Sequence, residues 1–251
     1  MNYLNSTNNQ YGGTYVSPKN LPDSSDAFVS QLNESLKIWQ TQKIKVVWIK
    51  IPNARAKLLP LLYQAGFMNH HCDVNFMMLT LRLEDGAVIP PFAKHTIGVG
   101  GLVINDNNEL LTVREKDHIK THPHNWKFPG GMLDPYEHIE DGVIREVLEE
   151  TNIQTEFHSF IGFRHHHQGQ FNTSNIYAVC RLKPLTLDIT IQESEIFDAK
   201  WFPIDDYLAD EKIGKYNHHI LQSALKNQGL ESINLPGYMS SVQDYEVFIT
   251  Q

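Results

Sequence analysis

The most constraining stretch of this chain is GGMLDPYEHIEDGVIREVLEETNI, Gly130 to Ile153, in which paired glycines and a proline precede a short acidic helix. At about 100° per residue, Ile139, Val143, Ile144, Val147 and Leu148 fall on one side of that helix. Glu146, Glu149 and Glu150 share an adjoining arc, with Glu150 at the border of the apolar sector, where a carboxylate is partly desolvated. Glu140 and Asp141 occupy the first turn, where negative charge meets the positive end of the helix dipole. Asn152 stands where a left-handed residue would end the helix. Gly142, inside the helix, costs about 1 kcal/mol relative to alanine; either tight packing tolerates it or this end of the helix is loosened.

Three carboxylates at i, i+3 and i+4 repel one another by roughly 3 kcal/mol per close pair at an effective dielectric of about 20. A divalent cation removes that penalty. The competing reading is a solvated acidic face, on which exposed like-charge pairs cost only roughly a few tenths of a kcal/mol. Repulsion does not separate the two, but spacing does. A G-x5-E-x7-R-E-U-x-E-E-x-G-U pattern (U aliphatic) is matched by Gly131, Glu137, Arg145, Glu146, Val147, Glu149, Glu150 and Ile153, with Asn152 in place of the last glycine.

At these residues the chain resembles the Nudix hydrolase family, whose signature this pattern is. The resemblance implies hydrolysis of a nucleoside diphosphate linked to another moiety, with Mg2+ or Mn2+ held by Glu146, Glu149 and Glu150. It implies an ion pair between Arg145 and Glu137 that orients the helix against the preceding loop, and a Gly130–Gly131 backbone lying beside the phosphates or metals. The departure at Asn152 is mild, because asparagine is the next best residue for a left-handed cap. The implied fold is the mixed-sheet α/β/α sandwich. SLKIWQ, VVWIKIP, QAGFMNHH, AKHTIGVGG, WKFPGG and QESEIFDAKWFPI resemble a subgroup with an N-terminal pre-Nudix domain. That subgroup includes the antisense fibroblast growth factor Nudix protein and plant ADP-ribose and NADH pyrophosphatases. The likeness implies an acetyltransferase-like shape for the first domain, yet the R/Q-x-x-G-x-G/A loop that would cradle coenzyme A is absent, so no acyl transfer is expected.

Length sets the scale: 251 residues suffice for one large or two smaller cores, and two α/β domains are expected. Residues 1–23, rich in Asn, Ser, Gly and Tyr, read as a flexible arm. Residues 24–92 form the first domain, with a helix from Asp26 to Gln42, a strand from Lys45 to Ile51, a helix from Ala54 to Gln64 that Pro60 kinks, and a strand from Val74 to Leu83. VIPPFAKH, Val88 to His95, is the linker. Residues 93–230 form the Nudix domain. It opens with the strand IGVGGLVIND and its hairpin partner ELLTVREK, joined by a polar turn from Asn105 to Asn108. After the acidic helix come strands near Glu156 to His165, Ser174 to Leu182 and Ala199 to Ile204, and helices from Asp205 to Leu208 and Asn217 to Lys226. Residues 231–251 are a C-terminal extension whose alternation suits a strand.

A formal charge of -8 and the lack of a Lys/Arg cluster argue against a nucleic-acid partner. No apolar run approaches the roughly 18 residues that span a bilayer, and no secretory signal is expected at the N-terminus. A cytoplasmic protein without a membrane partner is expected, with Cys72 and Cys180 as free thiols. Dimerisation through the first domain is a further expectation, motivated by its lack of recognisable catalytic residues.

The reaction class needs a general base, and two sources stay open: Glu146 or Glu149 on the helix, and Glu193 or Glu195 in QESEI. In FRHHH, Phe163 to His167, Arg164 and His165 are candidates for substrate phosphate or ribose and Phe163 for base stacking. The alternative is a solvated strand end. Trp126 and Phe128 alternate into the core, which points Lys127 the other way, toward substrate. Phe171 and Tyr177 are further stacking candidates, with a core role favoured. The histidine pairs His70/His71 and His218/His219 read as structural, and His122 and His124 as loop residues. The leading substrate is ADP-ribose or an NADH-like dinucleotide. The alternatives are a nucleoside triphosphate, coenzyme A, or a binding and regulatory role with catalysis secondary.

Overall fold

In the first half of the chain, Phe28, Leu32 and Trp39 recur at helical spacing, and this stripe organises the first core. A computed structural model describes residues 3–250, without the side chain of Gln170. The chain divides into two units, Met1–Ala93 and Lys94–Gln251, and the division falls inside VIPPFAKH.

The first unit runs β1 (Thr7–Asn8), β2 (Gly13–Val16), α1 (Ser25–Thr41), β3 (Val46–Pro52), α2 (Leu59–Gln64), β4 (Met68–Asp73) and β5 (Phe76–Arg82). Its sheet has the order β1-β2-β3-β5-β4. The Ser24 hydroxyl accepts from the Ala27 amide at 3.1 Å and starts α1, whose buried stripe of Phe28, Leu32 and Trp39 packs on Val47, Ile49 and Leu79. Two expectations change here, and one segment gains an assignment. Residues 3–23 are not the flexible arm expected of residues 1–23, of which Met1 and Asn2 lie outside the described residues: β2 pairs in parallel with β3, Leu4 and Val16 are buried, and the Leu4 amide donates to Ser35 Oγ at 2.7 Å. Those anchors reach 31 residues along the chain, which local periodicity does not register. Pro60 does not kink a helix; a 3-10 segment, Asn53–Leu58, ends just before it, and proline sits in the first turn of α2, where its missing N–H is harmless. The segment MNHHCD, unassigned from periodicity, is strand β4, antiparallel to β5.

The second unit runs β6 (His95–Val103), β7 (Glu109–Glu115), α3 (Ile139–Thr151), β8 (Thr155–His166), β9 (Ser174–Pro184), β10 (Ile196–Pro203), α4 (Ile204–Ala209), α5 (Lys215–Lys226), β11 (Glu231–Ser232) and β12 (Phe248–Ile249). One sheet has the order β6-β9-β8, with β6 and β9 parallel, and a second pairs β7 with β10. Val143 and Val147 of α3 pack with Val99, Val103, Cys180 and Leu182. Leu102, Val179, Trp126 and Phe128 instead pack with Tyr207 of α4 and Leu221 of α5. The strands thus lie between helices, in an α/β/α arrangement.

ELLTVREK is not the ladder partner of IGVGGLVIND; a single bridge, Ile104 to Leu110, joins them. The open edge of β6 is taken by the glycine segment instead: the Val99 amide donates to the Gly131 carbonyl and the Gly101 amide to the Pro129 carbonyl, each at 2.8 Å. Residues 231–251 belong to the second unit rather than standing apart as an extension. The strand expected there shrinks to the two residues of β12, after a 3-10 turn at Val242–Asp244. Among the described residues no helix is long and apolar enough to cross a membrane.

Candidate active site

Helix α3 carries the acidic cluster, and its ends and packing follow from single residues. Asn152 closes it in the left-handed conformation at φ 60°. Gly142 is retained by tight packing, since a Cβ there would lie 2.2 Å from Leu133 Cδ2. Leu148, assigned to the apolar side, is exposed, whereas Glu150 is buried at 4% exposure. The helix is rotated so that Glu150 and Thr151 face the sheet.

What accepts a carboxylate in that position is the glycine turn. Gly130 has φ 150°, and a Cβ on it would lie 2.1 Å from the Val99 carbonyl, so only glycine brings the backbone this close to β6. Its amide donates to Glu150 Oε2 at 2.9 Å. A Cβ on Gly131 would lie 2.6 Å from Glu146 Oε2, so the Glu146 carboxylate rests directly on that glycine. Burial pushes the Glu150 carboxyl up to about 7, against the pull of Lys127 and the Gly130 amide. Burial also raises Glu146, opposed by Arg145.

Arg145 organises the rest. Its Nε and Nη2 donate to the two oxygens of Glu137 at 2.7 and 2.8 Å, its Nη1 to Glu146 at 2.9 Å and Glu149 at 3.2 Å, and its Nη2 also to the Met132 carbonyl at 3.2 Å. The bidentate fork ties the loop to the helix. Hydrogen bonding from Arg145 holds Glu137 below the usual carboxylate range and, reciprocally, holds the guanidinium well above its own. Glu149 is half exposed, leaning on Arg145. Among the described residues no three His, Cys, Asp or Glu side chains converge as a metal centre, so Glu146, Glu149 and Glu150 share one helix without being gathered to one point. The donor set nonetheless suits a hard divalent cation: two desolvated carboxylates beside each other, with a third one turn away.

A cavity of about 400 Å³ is lined by Glu115, Lys127, Arg164, Tyr177, Tyr216 and Asn217, among others. It lies beside the helix carboxylates, since Lys127 and Glu115 both act electrostatically on Glu150. Trp126 and Phe128 are buried in one core, as the alternation requires, while Lys127 lines the cavity and its Nζ pairs with Glu115. Burial pushes the Glu115 carboxyl up, but Lys127 and His118 hold it below its usual value. Arg164 lies 5.6 Å from the Tyr177 ring and 5.5 Å from the Tyr216 ring. The Tyr216 hydroxyl is buried without a hydrogen-bond partner. Gly100 leaves the room that Tyr177 fills, as a Cβ there would lie 2.4 Å from the Tyr177 hydroxyl.

Other candidates are placed elsewhere. Phe163 is 61% exposed and Phe171 is 94% exposed, and neither lines the cavity. His165 is exposed, with its Nε2 3.1 Å from His95 Nε2 and its ring against His167, so of FRHHH only Arg164 reaches the cavity. Glu193 and Glu195 are exposed, and their carbonyls bind the Lys116 ammonium and amide. The Gln192 amide donates to the Glu150 carbonyl at 3.2 Å, which sets that segment beside the last turn of α3. His218 supports Tyr207 through its carbonyl at 3.0 Å, but His219 is exposed rather than structural. Glu115 and Tyr216 were not singled out from sequence. Glu115 ends a strand like many others, and Tyr216 lies 39 residues beyond Tyr177 with no motif around it.

Two family models match the chain: the Nudix hydrolase domain over residues 4–83 and the NUDIX domain over residues 94–223. The chain belongs to the Nudix hydrolase family. Nudix hydrolase 2 of Arabidopsis thaliana is 38% identical over 85% of this chain and 77% of its own length. Nudix hydrolase 8 of the same plant is 37% identical over 84% of this chain, which spans 58% of that relative. The human nucleoside diphosphate-linked moiety X motif 6 is 31% identical over 83% of this chain and 67% of its own length. The NUDIX match includes every position of the glutamate pattern and the residues lining the adjacent cavity.

Proposed function

We propose that this Nudix hydrolase cleaves the pyrophosphate of a nucleoside diphosphate derivative, with ADP-ribose or an NADH-like dinucleotide as the favoured substrate and Glu146, Glu149 and Glu150 as ligands of Mg2+ or Mn2+. The observation that carries it is the burial of Glu150 against the Gly130 amide, next to Glu146 and to a cavity bearing two cationic side chains. Such a carboxylate destabilises its surroundings unless a proton or a cation accompanies it. When bound, the metal supplies an acidified water and neutralises charge on the leaving phosphate.

The chain's own residues do the remaining work. Arg145 clamps Glu137 and holds Glu146 and Glu149 by hydrogen bonds, so these carboxylates enter the reaction oriented. Lys127 and Arg164 place positive charge in the cavity for the diphosphate, and Tyr177 and Tyr216 supply aromatic faces for the linked moiety. The general base is Glu149 or Glu195, both exposed and both near α3. We read the first unit as an acetyltransferase-like scaffold without acyl transfer and as the surface for dimerisation, with the protein acting in the cytoplasm on small nucleotides.

The test is a product screen on ADP-ribose, NADH, coenzyme A, dinucleoside polyphosphates and oxidised nucleoside triphosphates, with Mg2+ or Mn2+ added. Turnover of ADP-ribose or NADH to two monophosphates that falls at least a hundredfold in both Glu149→Gln and Glu150→Gln supports the proposal. Unchanged turnover in both variants removes the assignment of those ligands, and a preference for triphosphates or coenzyme A replaces the substrate.

A further inference from the structure

Helix α3 has no cap of its own. His138 occupies the N-cap position, its side chain makes no capping hydrogen bond, and its Nε2 pairs with the Gln243 carbonyl at 3.1 Å. The first two helical amides are satisfied from the far end of the chain: Ile139 N donates to Glu246 Oε2 at 2.6 Å and Glu140 N to Glu246 Oε1 at 3.0 Å. These contacts join residues 107 and 106 positions apart. A single carboxylate thus meets two of the four amides that a helix leaves open, and its charge faces the positive end of the dipole.

The segment bearing Glu246 is held in place on both sides. β12 pairs with β11, and the Phe248 ring stacks on Phe160 at 5.2 Å and leans on Phe157 at 5.8 Å. Before it, the Tyr245 hydroxyl bonds Asn234 Oδ1 at 2.8 Å and the Leu235 carbonyl at 3.0 Å. Glu246, Tyr245, Phe248 and the residues of β11 and β12 lie beyond residues 94–223, the span of the NUDIX match, whereas Phe157 and Phe160 lie within it. Glu137, which Arg145 clamps, immediately precedes His138, so Glu246 closes the junction between the loop and the helix that carries the glutamates.

We infer that Glu246 is a positioning residue: it caps the glutamate helix and thereby holds Glu146 and Glu150 at the cation site. The inference rests on the reading of those glutamates as cation ligands. Fraying of the first turn releases the backbone between Glu137 and Arg145, and the clamp on Glu146 and Glu149 loosens with it.

The experiment uses the full chain and Glu246→Ala, Glu246→Gln and Glu246→Asp. Glu246→Gln keeps shape and an acceptor, so it remains informative where alanine fails to fold. Amide exchange is followed at Ile139 and Glu140, and Mn2+ binding is titrated calorimetrically without substrate. In the alanine variant, exchange at both amides is expected to quicken about tenfold and the Mn2+ dissociation constant to rise about fivefold, as for the loss of a helix cap. Glutamine is expected to fall between, and aspartate to recover part of both. Unchanged exchange at Ile139 and Glu140 would overturn the cap. Faster exchange with unaltered Mn2+ affinity would reduce Glu246 to a brace and overturn its positioning role. If the unmodified chain takes up no Mn2+, the ligand assignment and the positioning role fail together, while exchange still reports the cap.

Discussion

The Gly130 amide donates to Glu150 Oε2 across 20 residues, at 2.9 Å and in a buried setting. The bond couples the glycine turn to the last turn of the helix, and it fixes the most desolvated carboxylate of the site. Its consequence for stability follows from the proton balance. Burial pushes the Glu150 carboxyl up to about 7 in the fold from its ordinary value of about 4.5, so between those values the native chain keeps a proton that the unfolded chain has lost. The associated stability is fully present below about pH 4.5 and is lost as pH rises through about 7, to roughly 3 kcal/mol. Glu150→Gln should therefore stabilise the metal-free protein at pH 8 by about 2–3 kcal/mol, with Gln still accepting from Gly130. Urea denaturation at pH 5 and pH 8 checks this, and an unchanged difference between the two pH values would place the titration elsewhere.

Helix propensity and packing make opposite demands at Gly142. Alanine gains about 1 kcal/mol in an open helix. Here its Cβ would meet Leu133 Cδ2 at 2.2 Å and Glu137 Oε2 at 3.0 Å. Gly142→Ala should destabilise the protein by about 1–2 kcal/mol net, since overpacking outweighs propensity. A midpoint that rises in chemical denaturation would refute the tight contact.

Tyr216 offers a different separation of binding from folding. Its hydroxyl is buried and unpartnered beside Arg164 in the cavity. Removing an unsatisfied polar group costs the fold nothing, whereas removing a ligand contact weakens binding. Tyr216→Phe should leave the melting temperature unchanged or raised and increase KM for the preferred dinucleotide about three- to tenfold, with kcat nearly constant. Steady-state kinetics alongside a thermal melt decide it, and an unaltered KM would remove Tyr216 from substrate contact.

The two cysteines should react unequally. Cys72 is exposed and Cys180 is buried in the α3 core, where burial pushes its thiol up. A thiol reagent should titrate about one group in the native state at neutral pH and two in denaturant. Two fast-reacting groups in the native protein would show that the α3 face opens.

Much of this protein is written locally. The glutamate pattern, the left-handed stop at Asn152, the α1 stripe and the alternation of Trp126, Lys127 and Phe128 all depend on neighbours within about one or two turns, where side-chain periodicity and backbone preference act. Other features depend on residues far apart in the chain: the burial of Leu4 against α1, the occupation of the β6 edge by Pro129–Gly131 in place of β7, and the choice of Arg164 over Phe163 and His165 to face the cavity. The pairing of Glu246 with the first amides of α3 belongs with them. Residue types and spacings set which helix could bear carboxylates at the site. Helical spacing put Glu150 at the apolar border, and long-range packing decided how far it is desolvated, because full solvent exclusion arises only when distant segments such as the Gly130 turn close over a side chain, and no local pattern encodes that closure.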